Sequence, residues 1–211
     1  MRIVDLINEY LDDENYLNEV QKIEKKRAEI KKEVLAFLDE FLAARCAIDT
    51  WRDHLKKIST GWTIGRSIPM IMSVYTVCSE LGRLGQLEAF VRRHLFVPKF
   101  LELRRIEGLV DFVKDNYESR RNQSGRLLFL LSIFWNIQKP EVYPIFYPKA
   151  KRALKILREH NLILPAEDIE NVYDEYLDLV LITREIKGLM ESRHIQSYQV
   201  EHFLFWLAEK K

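Results

Sequence analysis

A chain of 211 residues, 47% hydrophobic and 31% charged, can bury a sizeable core and is not a disordered polymer. Seven glycines and six prolines are too few for an all-β chain that turns every ten residues or so, so the expected fold is all-α, an irregular bundle of about eight or nine helices. The net charge of +1 hides a gradient: residues 1–58 carry 11 basic and 13 acidic groups, residues 59–165 carry 17 and 9, and residues 166–211 carry 5 and 10. A basic middle of this kind is the electrostatic footprint of a polyanion partner, or the result of internal pairing with the acidic C-terminal segment.

Residues 1–58 are expected to form N-terminal helices, packed on or extending from a main helical domain over 59–211. The first long helix is expected from about Asn15 to Ala47, where Tyr16, Val20, Ile23, Ile30, Val34, Leu38 and Leu42 keep helical spacing without an intervening Gly or Pro. Its charged middle, QKIEKKRAEIKKE, reads as a solvated face held by i,i+4 pairs, with nucleic-acid contact or a coiled-coil seam as alternatives. A short helix over 47–57 precedes STGWTIGRS, Ser59 to Ser67. This stretch lacks the GK[ST] lysine of a phosphate loop and a preceding β-rich run, so a nucleotide site is rejected. Trp62 and Arg66 at its tip either face a ligand or mark a bend between packed helices.

Further helices are expected over 69–84, 86–96 and 98–117, then a polar loop ESRRNQSGR from Glu118 to Arg126. Residues 126–138 are apolar nearly all round, as suits a buried central helix. Pro140, Pro144 and Pro148 then end it, since each fixes its own φ and pushes its predecessor toward extended geometry. A basic amphipathic helix restarts at Lys149 and runs to His160, with Ala150, Ala153, Leu154 and Leu157 inward. Pro165 with Glu167 and Asp168 is expected to open a helix that runs to about Met190, and Ser197 to cap the last one.

Little in the chain points to chemistry. The five histidines stand singly, without HExxH or the HxE and PCxxC pair of zinc deaminases, and there is no GxSxG elbow. No catalytic site, metal or cofactor is therefore expected; an enzymatic reading would need Glu141 to meet the basic helix in a pocket. Cys46 and Cys78 lack a CxxC or histidine companion and read as buried, reduced thiols. The first fifteen residues lack the apolar core of a signal peptide. The longest apolar run, Leu127 to Trp135, falls well short of the ~18 residues of a membrane span, so a cytoplasmic protein is expected.

Binding is the better-motivated class. Trp135, Tyr143, Phe146 and Tyr147 adjoin the basic helix, and aromatic faces beside Lys and Arg hold unstacked bases with their phosphates. The same rings also suit a core, because a Pro-rich connection must bury something to be ordered.

The stretch LLFLLSIFWNIQKPEVYPIFYPKAKRAL, Leu127 to Leu154, resembles the helical region upstream of the motor in McrB-like AAA+ GTPases of modification-dependent restriction systems. Gly61, Trp62 and Gly65 resemble that region's upstream loop, and 172–181 with 200–206 resemble a closing amphipathic pair. Related segments carry an aspartate where this chain has Tyr147, so that acid's role does not carry over. The resemblance implies recognition of DNA, including modified DNA, for a separate AAA+ motor or nuclease partner; this chain has no Walker motif. Phosphate contacts are then expected from Lys149, Lys151, Arg152, Lys155, Arg158 and the loop arginines Arg120, Arg121 and Arg126, with Tyr143, Tyr147 and Trp62 on a base. The competing expectation is a helical interaction protein that holds a partner subunit or forms a homo-oligomer through the long helix.

Overall fold

The computed structural model describes residues 2–43, 45, 46, 50, 62, 76, 79, 82–94, 123–165, 169–192, 195, 196 and 198–210. Among these residues there are seven helices and no strand: α1 (Ile3–Leu11), α2 (Glu14–Leu42), α3 (Leu84–His94), α4 (Gln123–Gln138), α5 (Pro148–Glu159), α6 (Val172–Glu191) and α7 (Gln199–Lys210). The class is all-α. The expected helix over 47–57 apart from Thr50, the one over 98–117, most of the one over 69–84, and the glycine loop apart from Trp62 lie outside the described residues.

The chain divides into two compact units. The first holds Met1–Gln21 and Lys139–Lys211, the second Lys22–Gln138. Within the first unit the N-terminal helix packs with the C-terminal one. In α1, Leu6, Ile7 and Tyr10 are buried, and the Tyr10 ring lies edge-on to Phe203 and Trp206 of α7 at 5.7 and 5.9 Å. The Tyr10 hydroxyl donates to the Gln199 side chain.

In the first unit, α7 packs on α5, α6 and α1. Val200 and every residue from His202 to Ala208 are buried, so α7 is enclosed nearly all round rather than amphipathic. Asp13 ties its end to the α1–α2 corner: one carboxylate oxygen accepts the Tyr16 N–H at 3.1 Å and opens α2, while the other accepts from Trp206 Nε1 at 3.0 Å and pairs with Lys210 at 3.0 Å.

The proline segment is a turn followed by an extended run. The Lys139 carbonyl accepts the N–H groups of Val142 and Tyr143, both at 3.1 Å. Tyr147 is extended at φ −81°, ψ 149°, which places Pro148 in the first turn of α5, where its missing N–H leaves nothing unsatisfied. Ala150, Ala153, Leu154, Ile156 and Leu157 form the buried face of α5. The helix closes through Asn161 at φ +53°, a left-handed position that Asn tolerates better than most residues. α6 starts at Asn171 rather than beside Pro165. The Asn171 side chain accepts the N–H groups of Tyr173 and Asp174 at 2.8 and 3.2 Å, and Asp174 returns a bond to the Asn171 N–H at 3.1 Å, a reciprocal capping box.

In the second unit, buried Arg27, Val34 and Phe41 of α2 recur every seven residues, with Phe37 and Leu38 between. Val20, one heptad earlier on the same helix and in the first unit, is also buried. Arg27 is a charge in an apolar stripe. It is held by Glu24 at 2.8 Å and lies 5.8 Å from the centre of the Trp62 ring. On α3, Arg92 lies 4.0 Å from the centre of Phe41 and donates to the Cys46 carbonyl at 2.6 Å. Every residue of α4 from Leu131 to Ile137 is buried, as its apolar composition implies, and Trp135 Nε1 donates to the His94 carbonyl at 2.8 Å. α4 starts three residues earlier than expected, inside the segment read as a loop.

Candidate nucleic-acid interface

The aromatic candidates are core residues. Tyr143 and Tyr147 are each 2% exposed and Trp62 is 3% exposed, so in this structure the three rings expected to meet a base are packed inside the fold. Tyr147 lies edge-on to Phe205 at 4.7 Å, and Phe146 edge-on to Tyr176 at 5.9 Å. The Tyr176 hydroxyl donates to the Pro144 carbonyl at 3.1 Å. Burial pushes the Tyr143 phenol above its ordinary pKa and that of Tyr176 well above it. Prolines set the path of this segment and its rings anchor it.

The basic face of α5 is engaged within the chain. Lys149 pairs with Glu209 of α7 and Lys151 with Glu175 of α6. Arg158 grips both oxygens of Asp178 on α6 at 2.5 and 2.6 Å and donates through Nε to the Leu164 carbonyl at 3.3 Å. Lys155 pairs with Glu159 one turn on, at 3.7 Å. The Lys149 and Lys151 ammonium groups also lie 5.4 and 5.3 Å from the ring centres of Phe205 and Phe146. Arg152 is exposed. Four of the five expected phosphate ligands on this helix thus have carboxylate partners, and three of them fasten α5 to α6 and α7. Arg126 is half-buried and has an interaction partner of its own. Arg120 and Arg121 lie outside the described residues.

Charge divides sharply between the two units. The first holds 12 basic and 18 acidic residues, a net −6; the second holds 21 and 14, a net +7. The basic middle seen in the sequence is therefore split, and α5 belongs to the acidic body. The sequence also gave too little weight to α2. Lys25, Lys26 and Lys32 are exposed and Lys31 half-buried, and among the described residues none of the four has a carboxylate at ion-pair distance. The signal was present in KIEKKRAEIKK, where i,i+4 pairing was expected to neutralise them.

Other reactive groups are occupied or solitary. A recess of about 780 Å³ is lined by Glu9, Asp12, Asp13, Glu14, Asn15, Trp206 and Lys210. Its central carboxylate, Asp13, is held below its ordinary pKa by hydrogen bonds from Lys210, Trp206 and the Tyr16 N–H. His94 is pushed down to about 4, first by burial and then by Arg93. Glu141 is exposed, and it is its backbone carbonyl that accepts from Lys187, at 3.1 Å. Among the described residues no three His, Cys, Asp or Glu side chains are grouped to hold a metal ion, and no helix is long and apolar enough to cross a membrane. No family model, curated protein or solved structure matches the chain.

Proposed function

We propose that this chain is a DNA-binding module that recognises duplex DNA without chemistry of its own. The observation that carries this reading is the net +7 of the second unit beside the net −6 of the first. A polyanion is drawn to a body with excess positive charge, and backbone phosphates supply most of the affinity of such contacts. The resemblance of Leu127 to Leu154 to the region upstream of McrB-like motors supports a restriction or defence context. There the bound DNA would be passed to a separate AAA+ motor or nuclease.

The test is fluorescence-anisotropy titration with short duplexes, unmodified and carrying modified cytosine or adenine, at 50 and 200 mM salt. Salt-sensitive binding is expected, with a preference among the duplexes if modification is read. No binding at 50 mM salt would refute the reading.

A second reading, contact with a partner protein, is favoured by three large apolar side chains exposed on the first unit: Leu164 at 71%, Ile169 at 40% and Leu181 at 51%. The apolar stripe of α2 is buried within the chain, so this reading rests on the exposed side chains of the first unit. Sedimentation of wild-type protein beside Leu164→Ser with Leu181→Ser separates the cases, since an oligomer lost in the variant would place an interface there.

A further inference from the structure

We infer that duplex DNA lies along the outer face of α2, its phosphates met by Lys25, Lys26 and Lys32, and that α5 takes no part. The inference rests on the DNA-binding reading and specifies its surface. Two observations carry it.

The first is the contrast between the two basic helices. On α5, Lys149, Lys151, Lys155 and Arg158 each have a carboxylate partner in the chain. A phosphate there would have to displace Glu209, Glu175 or Asp178 and meet the field of a unit with net −6. On α2, Lys25, Lys26 and Lys32 are exposed, Lys25 and Lys32 on the side away from the buried stripe and Lys26 at its flank, and none has such a partner among the described residues, in a unit with net +7. Over Lys22 to Glu33 the helix carries six basic and three acidic residues.

The second is spacing on a rigid support. Seven residues separate Lys25 from Lys32, about 10 Å of helix at 1.5 Å per residue. One strand of duplex presents a phosphate every ~3.4 Å of axis, so that length faces about three phosphates. Arg27, Val34, Phe37, Leu38 and Phe41 fix the opposite side of the helix in the core, so the three lysines are carried by an anchored element rather than a loop. Glu29 shares their exposed face, one turn beyond Lys25 and three residues before Lys32, and it opposes a phosphate there. Its removal should therefore tighten binding.

The experiment compares salt slopes of duplex binding for the wild-type chain, the triple variant Lys25→Gln, Lys26→Gln, Lys32→Gln, the triple variant Lys151→Gln, Arg152→Gln, Lys155→Gln, and Glu29→Gln. Each lost phosphate contact lowers the slope by about 0.9, so the α2 variant should lose about 2.7. The α5 variant should keep the wild-type slope, and Glu29→Gln should bind more tightly than wild type. These are exposed side chains, and circular dichroism with urea unfolding confirms that each variant is folded. Wild-type binding with an unchanged slope in the α2 variant, or a slope lost only in the α5 variant, overturns the inference and leaves the DNA-binding reading standing. No wild-type binding at 50 mM salt removes both.

Discussion

Tyr176→Phe tests whether the proline segment is held as a structural anchor. The Tyr176 hydroxyl, on α6, donates to the Pro144 carbonyl at 3.1 Å, and the side chain is fully buried. Phenylalanine keeps the ring and its edge-on contact with Phe146 at 5.9 Å, so the substitution removes the hydrogen bond to Pro144 and leaves a buried carbonyl without that donor. Stranding a buried polar group costs about 1–3 kcal/mol. For a chain of this size each kcal/mol corresponds to roughly 2–4 °C in Tm, so the midpoint should fall by about 2–12 °C. Urea unfolding followed by tryptophan fluorescence should show a lower midpoint with an unchanged m value, and DNA affinity should be unaffected. Stability equal to wild type would refute the anchoring argument. Weakened DNA binding at unchanged stability would return the segment to the ligand surface.

Lowering the pH should destabilise the fold through His94. Its ring packs on Phe90 with centroids 4.3 Å apart, and its pKa is pushed down to about 4 from 6.5. The unfolded chain takes up a proton below about pH 6.5 that the folded chain refuses, so this stability is complete above 6.5 and lost as the pH falls toward 4. The full shift corresponds to about 3 kcal/mol, reduced to about 1–2 because the group is only partly buried; His94→Gln should flatten that part of the urea-midpoint curve, and parallel curves would refute the assignment. Asn171→Ala removes the acceptor for two N–H groups at the start of α6 and should cost about 1 kcal/mol, read as a drop of a few degrees in Tm. Asp178→Asn should cost about 1–2 kcal/mol, because one guanidinium nitrogen of Arg158 reaches both Asp178 oxygens and the pair is about four-fifths buried. A double-mutant cycle with Arg158→Gln should return a coupling energy that shrinks in 1 M salt, and zero coupling would show the pair to be incidental.

Features set by the local chain were legible. The run LLFLLSIFW could only be a buried helix, and the residues from Leu131 to Ile137 are all buried. Pro148 fell in the first turn of α5 because a fixed φ leaves few other places for it. Features set by distant neighbours were not legible. Arg27 follows an apolar spacing on α2, but its partners are Glu24 and the Trp62 ring, and periodicity says nothing about a ring 35 residues away. The start of α6 was misread beside Pro165, because Asn171 and Asp174 make a reciprocal cap that a proline with two acids outweighs on composition alone. The union of chain ends in one unit left no local trace, since it depends on Tyr10 meeting Phe203 and Trp206.

The basic helix shows why a charge count along the sequence misleads about partners. Five cations against one glutamate over residues 149–160 look like a phosphate surface when the segment is taken alone. A ligand responds to the charge left unbalanced on a folded body, and α6 and α7 bring Glu175, Asp178 and Glu209 to that face. On α2 the opposite holds: lysines and glutamates alternate closely enough to suggest neutralisation, yet Lys25, Lys26 and Lys32 stand without a carboxylate partner among the described residues. A helix fully charged in sequence can therefore be electrostatically quiet, and one that is mixed in sequence can carry the field. The salt slopes of the two lysine variants differ only if that distinction governs how the chain meets DNA.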